Sequence, residues 1–164
     1  NALEEEKGRM PDFIYGDAWE RDERRQEWYK AAFDPLKWRV TLNTHHQAMF
    51  YRTLLLKEFR YDLQYEVAAD FDLTQRFVRA SQLICHLPFP VCAFTLGGLS
   101  TKRVAQGRIE SYRIRKRLGL VSSPANEFLI LRHWLTYQVK RVFPALYWRL
   151  RDFLSADKMA RQRD

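Results

Sequence analysis

Between Ser81 and Thr101 the chain carries no formally charged residue, a run about long enough to cross a bilayer as a helix. The run also contains Pro88, Pro90, Gly97 and Gly98. Each proline removes a backbone donor and crowds the turn before it, and paired glycines weaken a helix further. A buried strand pair with turns is therefore the expectation. Residues 83–96 are read as one or two short strands broken at Pro88 and Pro90, leading to a glycine turn at Gly97-Gly98.

Helical periodicity dominates the other end. Phe128, Leu131, Leu135, Val139, Val142, Leu146, Leu150 and Phe153 step by three or four residues, which predicts an amphipathic helix. Ser123 is its natural N-cap, Pro124 suits the first helical position, and Pro144 should kink or split it. A second helix is predicted from Ser100 to Leu118, rich in Arg and Lys and stopped at Gly119.

Charge divides the chain in the same way. The net charge is +8, with 13 Lys/Arg against 15 Asp/Glu in residues 1–100 and 15 against 5 in residues 101–164. A basic block of this kind suits nucleic acid, an anionic membrane surface or a phosphorylated substrate. Residues 102–117 alone hold seven Lys/Arg and one Glu, enough to neutralise phosphates without reading a sequence. No nucleic-acid recognition motif accompanies them, so no specific nucleic acid is expected. Trp134, Tyr137, Trp148, Arg149 and Arg151 fit an anionic membrane surface instead. The plainer alternative is a helix whose apolar stripe closes the core.

The first hundred residues read as short elements. Asn1 to Gly8 resembles the end of a helix. Phe13-Ile14-Tyr15 predicts a short buried strand left through Gly16-Asp17, which puts Asp17 at a strand end. Residues 20–30 read as a solvated hairpin or loop, Ala48 to Tyr51 as a strand, Thr53 to Leu56 as a helical turn, and Tyr61 to Leu63 as a turn. Phe71, Phe77, Val78 and Leu83-Ile84 fit a helix better than a strand, with Asp70 as its N-cap. The two cysteines, Cys85 and Cys92, have no others to build a framework with, so buried thiols in a reducing compartment are expected. The N-terminus is acidic and polar, unlike a signal peptide. Because the first residue is Asn, the chain is expected to be a piece of a longer product.

Chemistry concentrates between His45 and Leu73. Asp70 and Asp72 at a loop-to-helix junction can supply a base, favoured as carboxylates by the helix N-terminus, though such a pair also serves as a cap with a solvated neighbour. His45, His46, Gln47 and Arg52 offer donors to phosphate or sugar oxygens. If His45 and His46 lie on a strand they point to opposite faces, so only one shares the site and the two cannot chelate one ion. Gly97, Gly98 and Ser100 precede the basic helix and can place backbone amides near an anion, or simply make a turn. No nucleophile elbow is present.

The strings PDFIYGDA, THHQAMFYR, YEVAADFDL and FTLGGLS, in this order and spacing over residues 1–100, resemble the second half of bacterial family-two glycosyltransferases of the cell-envelope polysaccharide type. The resemblance implies an α/β fold with a partial GT-A-like mixed sheet in residues 1–100, and the basic amphipathic helices read above then follow as a C-terminal extension over residues 101–164. It implies inverting transfer from a nucleotide-diphosphate sugar to a glycan or lipid-linked acceptor at the cytoplasmic face of the plasma membrane. Asp70 matches the family's general base, with Ala69 where a Glu is common. His46 and Gln47 match a pair lining the acceptor or diphosphate region, Gly97, Gly98 and Ser100 match a later glycine loop, and Tyr15, Gly16 and Asp17 match the strand after the metal-binding segment. That segment, which holds a divalent cation (Mg or Mn) in the family, would lie upstream of Asn1, and no metal ligand is assigned within this chain. The alternative from another class is a non-catalytic basic helical module binding nucleic acid or an anionic membrane.

Overall fold

The computed structural model describes residues 10–21, 27–95 and 103–142. The fold is mixed α/β. Four strands form one sheet: β1 (Phe13–Arg21), β2 (Glu27–Lys30), β3 (Met49–Tyr51) and β4 (Ile84–Thr95). Among the described residues a 3-10 turn covers His46–Ala48, and the helices are α1 (Thr53–Leu56), α2 (Ala69–Ala80), α3 (Val104–Arg117) and α4 (Ser123–Val142). The chain divides into two compact units after Val121, with the sheet and the basic helix α3 in the first and α4 in the second.

Strand β1 is the axis of the sheet. One edge pairs in parallel with β4 along its whole length, and the other pairs antiparallel with β3 at Phe13–Tyr15 and with β2 at Ala18–Arg21. The strand therefore runs well past Tyr15, and Asp17 lies in its middle, not at its end. Between β3 and β2 the β1 edge is closed by two local bonds: Thr44 Oγ1 donates to the Gly16 carbonyl at 2.9 Å, and the Ala32 amide donates to Asp17 Oδ1 at 2.7 Å.

Strand β4 passes through both prolines unbroken, which corrects the expected division into short strands. The reason lies in the register. Gly16 pairs with Leu87, Asp17 with Pro90 and Ala18 with Cys92, so Pro88, Phe89 and Val91 are extra residues in bulges, where the missing Pro88 donor costs no ladder bond, and Pro90 stands opposite Asp17 between the two irregularities. The bulge presses Val91 onto β1. A Cβ at Gly16 would lie 2.7 Å from both Val91 methyls, so this position needs a glycine for close approach and not for a turn.

Alternation along β1 puts Phe13 and Tyr15 on one face, where they form the core with Met49, Phe77 and Val78. Burying each large side chain contributes about 1.5–3 kcal/mol. A second cluster, Tyr65, Ala68, Phe71, Ile114 and Leu120, joins α2 to α3. Helix α3 stops as the sequence predicts: Gly119 has φ +57°, the Gly119 amide donates to the Lys116 carbonyl and the Leu120 amide to the Arg115 carbonyl. Those two bonds and the Leu120–Ile114 contact form a Schellman ending. Cys85 and Cys92 are free and half-buried, more open than expected.

Among the described residues no helix is long and apolar enough to cross a membrane. The proposed helix at residues 1–8, the Pro144 kink, Trp148, Arg149 and Arg151 lie outside the described residues.

Candidate functional site

Helix α2 carries the central carboxylate. Its first turn holds Asp70 and Asp72, its last holds Arg79, and both placements favour the helix dipole. Asp70 is not the N-cap. Ala68 occupies that position without a side-chain bond, and the amides of Glu66, Val67 and Ala68 instead donate to the carboxylate of Glu110 from α3. Burial works to raise the Glu110 pKa, but the Ala68 and Val67 amides and Gln106 outweigh it and hold it below its ordinary value.

Freed from capping, the Asp70 side chain faces outward. Its carboxylate is 41% exposed and 3.7 Å from His46 Nδ1, a gap for a charge pair but too long for a hydrogen bond. The Tyr61 hydroxyl completes the group, 3.5 Å from His46 Nε2. Partial burial, then the charge of Asp70 and a hydrogen bond to it, push the Tyr61 pKa up to about 12. Beneath them the backbone is fixed: Thr74 Oγ1 donates to the Asp70 carbonyl at 2.6 Å and lies 2.8 Å from the Tyr51 hydroxyl. Desolvation, the largest influence on half-buried Tyr51, raises its pKa. Gln47 is exposed beside His46 in the 3-10 turn.

Other expected site residues are placed elsewhere. Asp72 is fully buried, accepting from Arg76 Nε at 2.9 Å and from Arg117, and cannot reach a substrate directly. Arg52 pairs with Asp12 at 3.1 Å. Tyr15 is in the core, stacked on His86 with ring centroids 4.8 Å apart. Asp17 is 2% exposed and already occupied: it accepts from the Ala32 amide, from Tyr29 and, at 3.1 Å, is paired with His86 Nε2. Burial acts to raise its pKa, but Tyr29, Ala32 and His86 together lower it. Asp17 and Tyr15 are thus parts of the frame. Gly97, Gly98 and Ser100 lie outside the described residues.

His45 and His46 do serve different places, though not as neighbours on a strand. The 3-10 turn starts between them, with His45 extended at its N-cap. His45 Nε2 sits 2.8 Å from Glu20 Oε1, which also pairs with Lys30 at 3.0 Å, while Trp28 Nε1 donates to Oε2 at 2.7 Å. His45 first, then Lys30 and Trp28, hold Glu20 down to about 2 against the cost of burial.

The open group is therefore Asp70, His46, Gln47 and Tyr61. A carboxylate beside an imidazole and a phenol can accept a proton from an incoming hydroxyl and orient it. Tyr61 is legible in the sequence only as part of a turn, and no local signal sets it apart. No group of three His, Cys, Asp or Glu that could hold a metal ion gathers among the described residues. Set against protein-family models, curated proteins and solved structures, the chain matches none of them.

Proposed function

We propose that this chain forms the acceptor-side half of an inverting glycosyltransferase that uses a nucleotide-diphosphate sugar and a glycan or lipid-linked acceptor. The observation that supports it is the contrast within one helical turn: Asp70 open beside His46, Asp72 wholly enclosed. In this reading Asp70 takes the proton from the acceptor hydroxyl as its oxygen bonds to the anomeric carbon. The bond from that carbon to the diphosphate oxygen breaks on the opposite face, inverting the centre, and the pair of electrons leaves with the nucleoside diphosphate. His46 and Gln47 orient the acceptor.

The test is sugar transfer by the complete gene product with Asp70→Asn. Loss of a general base predicts a fall of about 10²- to 10⁴-fold. Transfer unaffected by the change, or no transfer from any nucleotide-diphosphate sugar, sinks the proposal.

The nucleic-acid reading finds less support, because much of the α3 charge is engaged: Arg103 on Glu66, Arg115 on the Val40 carbonyl, and Arg117 on Asp62 and Asp72. The membrane reading is favoured by α4, which exposes Phe128, Leu131, Trp134 and Leu135 with Arg132 between them. Sedimentation with vesicles containing anionic lipid, lost in a Phe128→Ser, Trp134→Ser variant, is the expected result; equal binding by the variant removes this reading.

A further inference from the structure

Tyr61 lies on the connection from α1 to α2, a stretch that has no regular element to hold it. Its two neighbours are nevertheless pinned. The Arg60 carbonyl accepts from Arg76 Nη2 at 2.6 Å, and Asp62 Oδ2 accepts from Arg117 Nη1 at 2.6 Å. Both guanidiniums converge on one carboxylate: Arg76 Nε donates to Asp72 Oδ2 and Arg117 Nη2 to Asp72 Oδ1. Asp72 is fully buried and two residues from Asp70. Each of its oxygens thus holds one arginine, and each arginine holds one side of Tyr61.

A guanidinium suits this work because its planar fork makes two directed bonds at once. Arg117 lies in the last turn of α3, so the clamp ties that helix, the connection and α2 together. The Tyr65 ring adds a further contact, 5.2 Å from the Arg117 guanidinium carbon. Without these ties the half-exposed Tyr61 ring would have its bonds to Asp70 and His46 as its main polar restraint.

We propose that Arg117 and Arg76, both anchored on Asp72, are positioning residues that hold Tyr61 against Asp70 and His46, and that the Tyr61 hydroxyl is a third contact for the acceptor. The second half of this statement rests on the glycosyltransferase reading; the first stands on geometry alone. It also gives Asp72 a part in the site that its burial denies it as a direct ligand.

The decisive variant is Asp62→Asn, which removes the charge that holds the Arg117 arm on the loop side, leaving at most a weaker neutral bond there, and leaves Asp72 with both arginines, so the fold is not put at risk. Nuclear Overhauser contacts between the Tyr61 and His46 rings are measured in the full chain. Wild type should show them, and Asp62→Asn should lose at least half their intensity with the amide pattern of α2 and the sheet unchanged. In sugar transfer by the complete gene product, Asp62→Asn and Tyr61→Phe should each lower kcat/KM roughly 5- to 20-fold, mainly through KM. Undiminished ring contacts in Asp62→Asn, or none in wild type, overturn the positioning role. Unchanged kcat/KM in Tyr61→Phe overturns the acceptor contact. A wild-type protein that transfers no sugar defeats the glycosyltransferase reading, and the ring contacts still decide the clamp.

Discussion

His45 and His46 are adjacent in the chain and each faces a carboxylate, yet the two pairs are built to opposite ends. Glu20 gathers His45, Lys30 and Trp28, and nearby on β1 Asp17 gathers Tyr29, Ala32 and His86. Around Asp70 the partners stand back and the carboxylate is open. A buried carboxylate must have its oxygens satisfied, and once they are, it has nothing left to offer a ligand. Unused bonding capacity at a rigid position is what distinguishes the α2 end of the molecule from the β1 end.

The largest effect that separates the two is chemical. Asp70→Asn should lower sugar transfer about 10²- to 10⁴-fold while leaving urea stability within about 0.5 kcal/mol, as for other exposed positions. A variant that loses several kcal/mol of stability would place Asp70 with the saturated carboxylates.

Asp72→Ala should do the reverse. It strips a fully buried partner from two arginines, a change that costs about 3–5 kcal/mol for buried pairs. The lower end is expected because Arg76 and Arg117 are themselves 25% and 37% exposed. Urea midpoints of the two aspartate variants, two residues apart, give the cleanest reading of the contrast.

The sequence made the elements legible where local chemistry decides them. Thr53–Leu56, the body of α2 and the Gly119 stop of α3 follow from propensity, apolar spacing and a glycine able to take positive φ. It misled where tertiary contacts decide. Pro88 and Pro90 read as strand breakers, because nothing local announces a bulge against Gly16. Asp70 read as an N-cap, because the Glu110 carboxylate that takes the amides just before α2 comes from 42 residues away. Asp70 and His46 were visible as candidates by type, but the sequence could not say that Asp17 and Asp72, equally polar on paper, would be enclosed.

Acid should unfold the β1 end in a defined window. Glu20 lies at about 2 when folded, against an ordinary value of 4.5, so its contribution is complete above about pH 4.5 and fades as the pH falls toward 2. By linkage that amounts to roughly 3 kcal/mol. Comparing wild type with Glu20→Gln by urea titration from pH 6 to 2, the gap in stability should close across this window; a gap that stays constant to pH 2 would show the Glu20 cluster to be weaker than its geometry implies.

Packing around these saturated carboxylates should be equally unforgiving. In Gly16→Ala the new methyl meets both branches of Val91 at 2.7 Å, and valine has little rotamer freedom with which to move away. Overpacking of this kind costs about 1–3 kcal/mol, read as a lowered melting temperature. A neutral result would mean that the bulge in β4 can slide.

The smallest expected effect tests whether exposure alone marks a carboxylate as functional. Glu66 is 61% exposed and pairs with Arg103, itself 50% exposed, at 2.6 Å. The distance is short, but solvent screens both charges and two flexible chains must be ordered to meet, so a double-mutant cycle with Glu66→Gln and Arg103→Gln should give about 0–0.5 kcal/mol of coupling. Sugar transfer should be unchanged in either variant. Glu66 therefore matches Asp70 in openness and differs in everything around it: it accepts from Arg103 and Gln106 on one oxygen, whereas Asp70 has its backbone fixed through Thr74 and Tyr51 and an imidazole and a phenol converging on its side chain. Loss of transfer in Glu66→Gln would mean that the acceptor reaches beyond the α2 end toward α3, and the boundary drawn around Asp70, His46, Gln47 and Tyr61 would have to be widened.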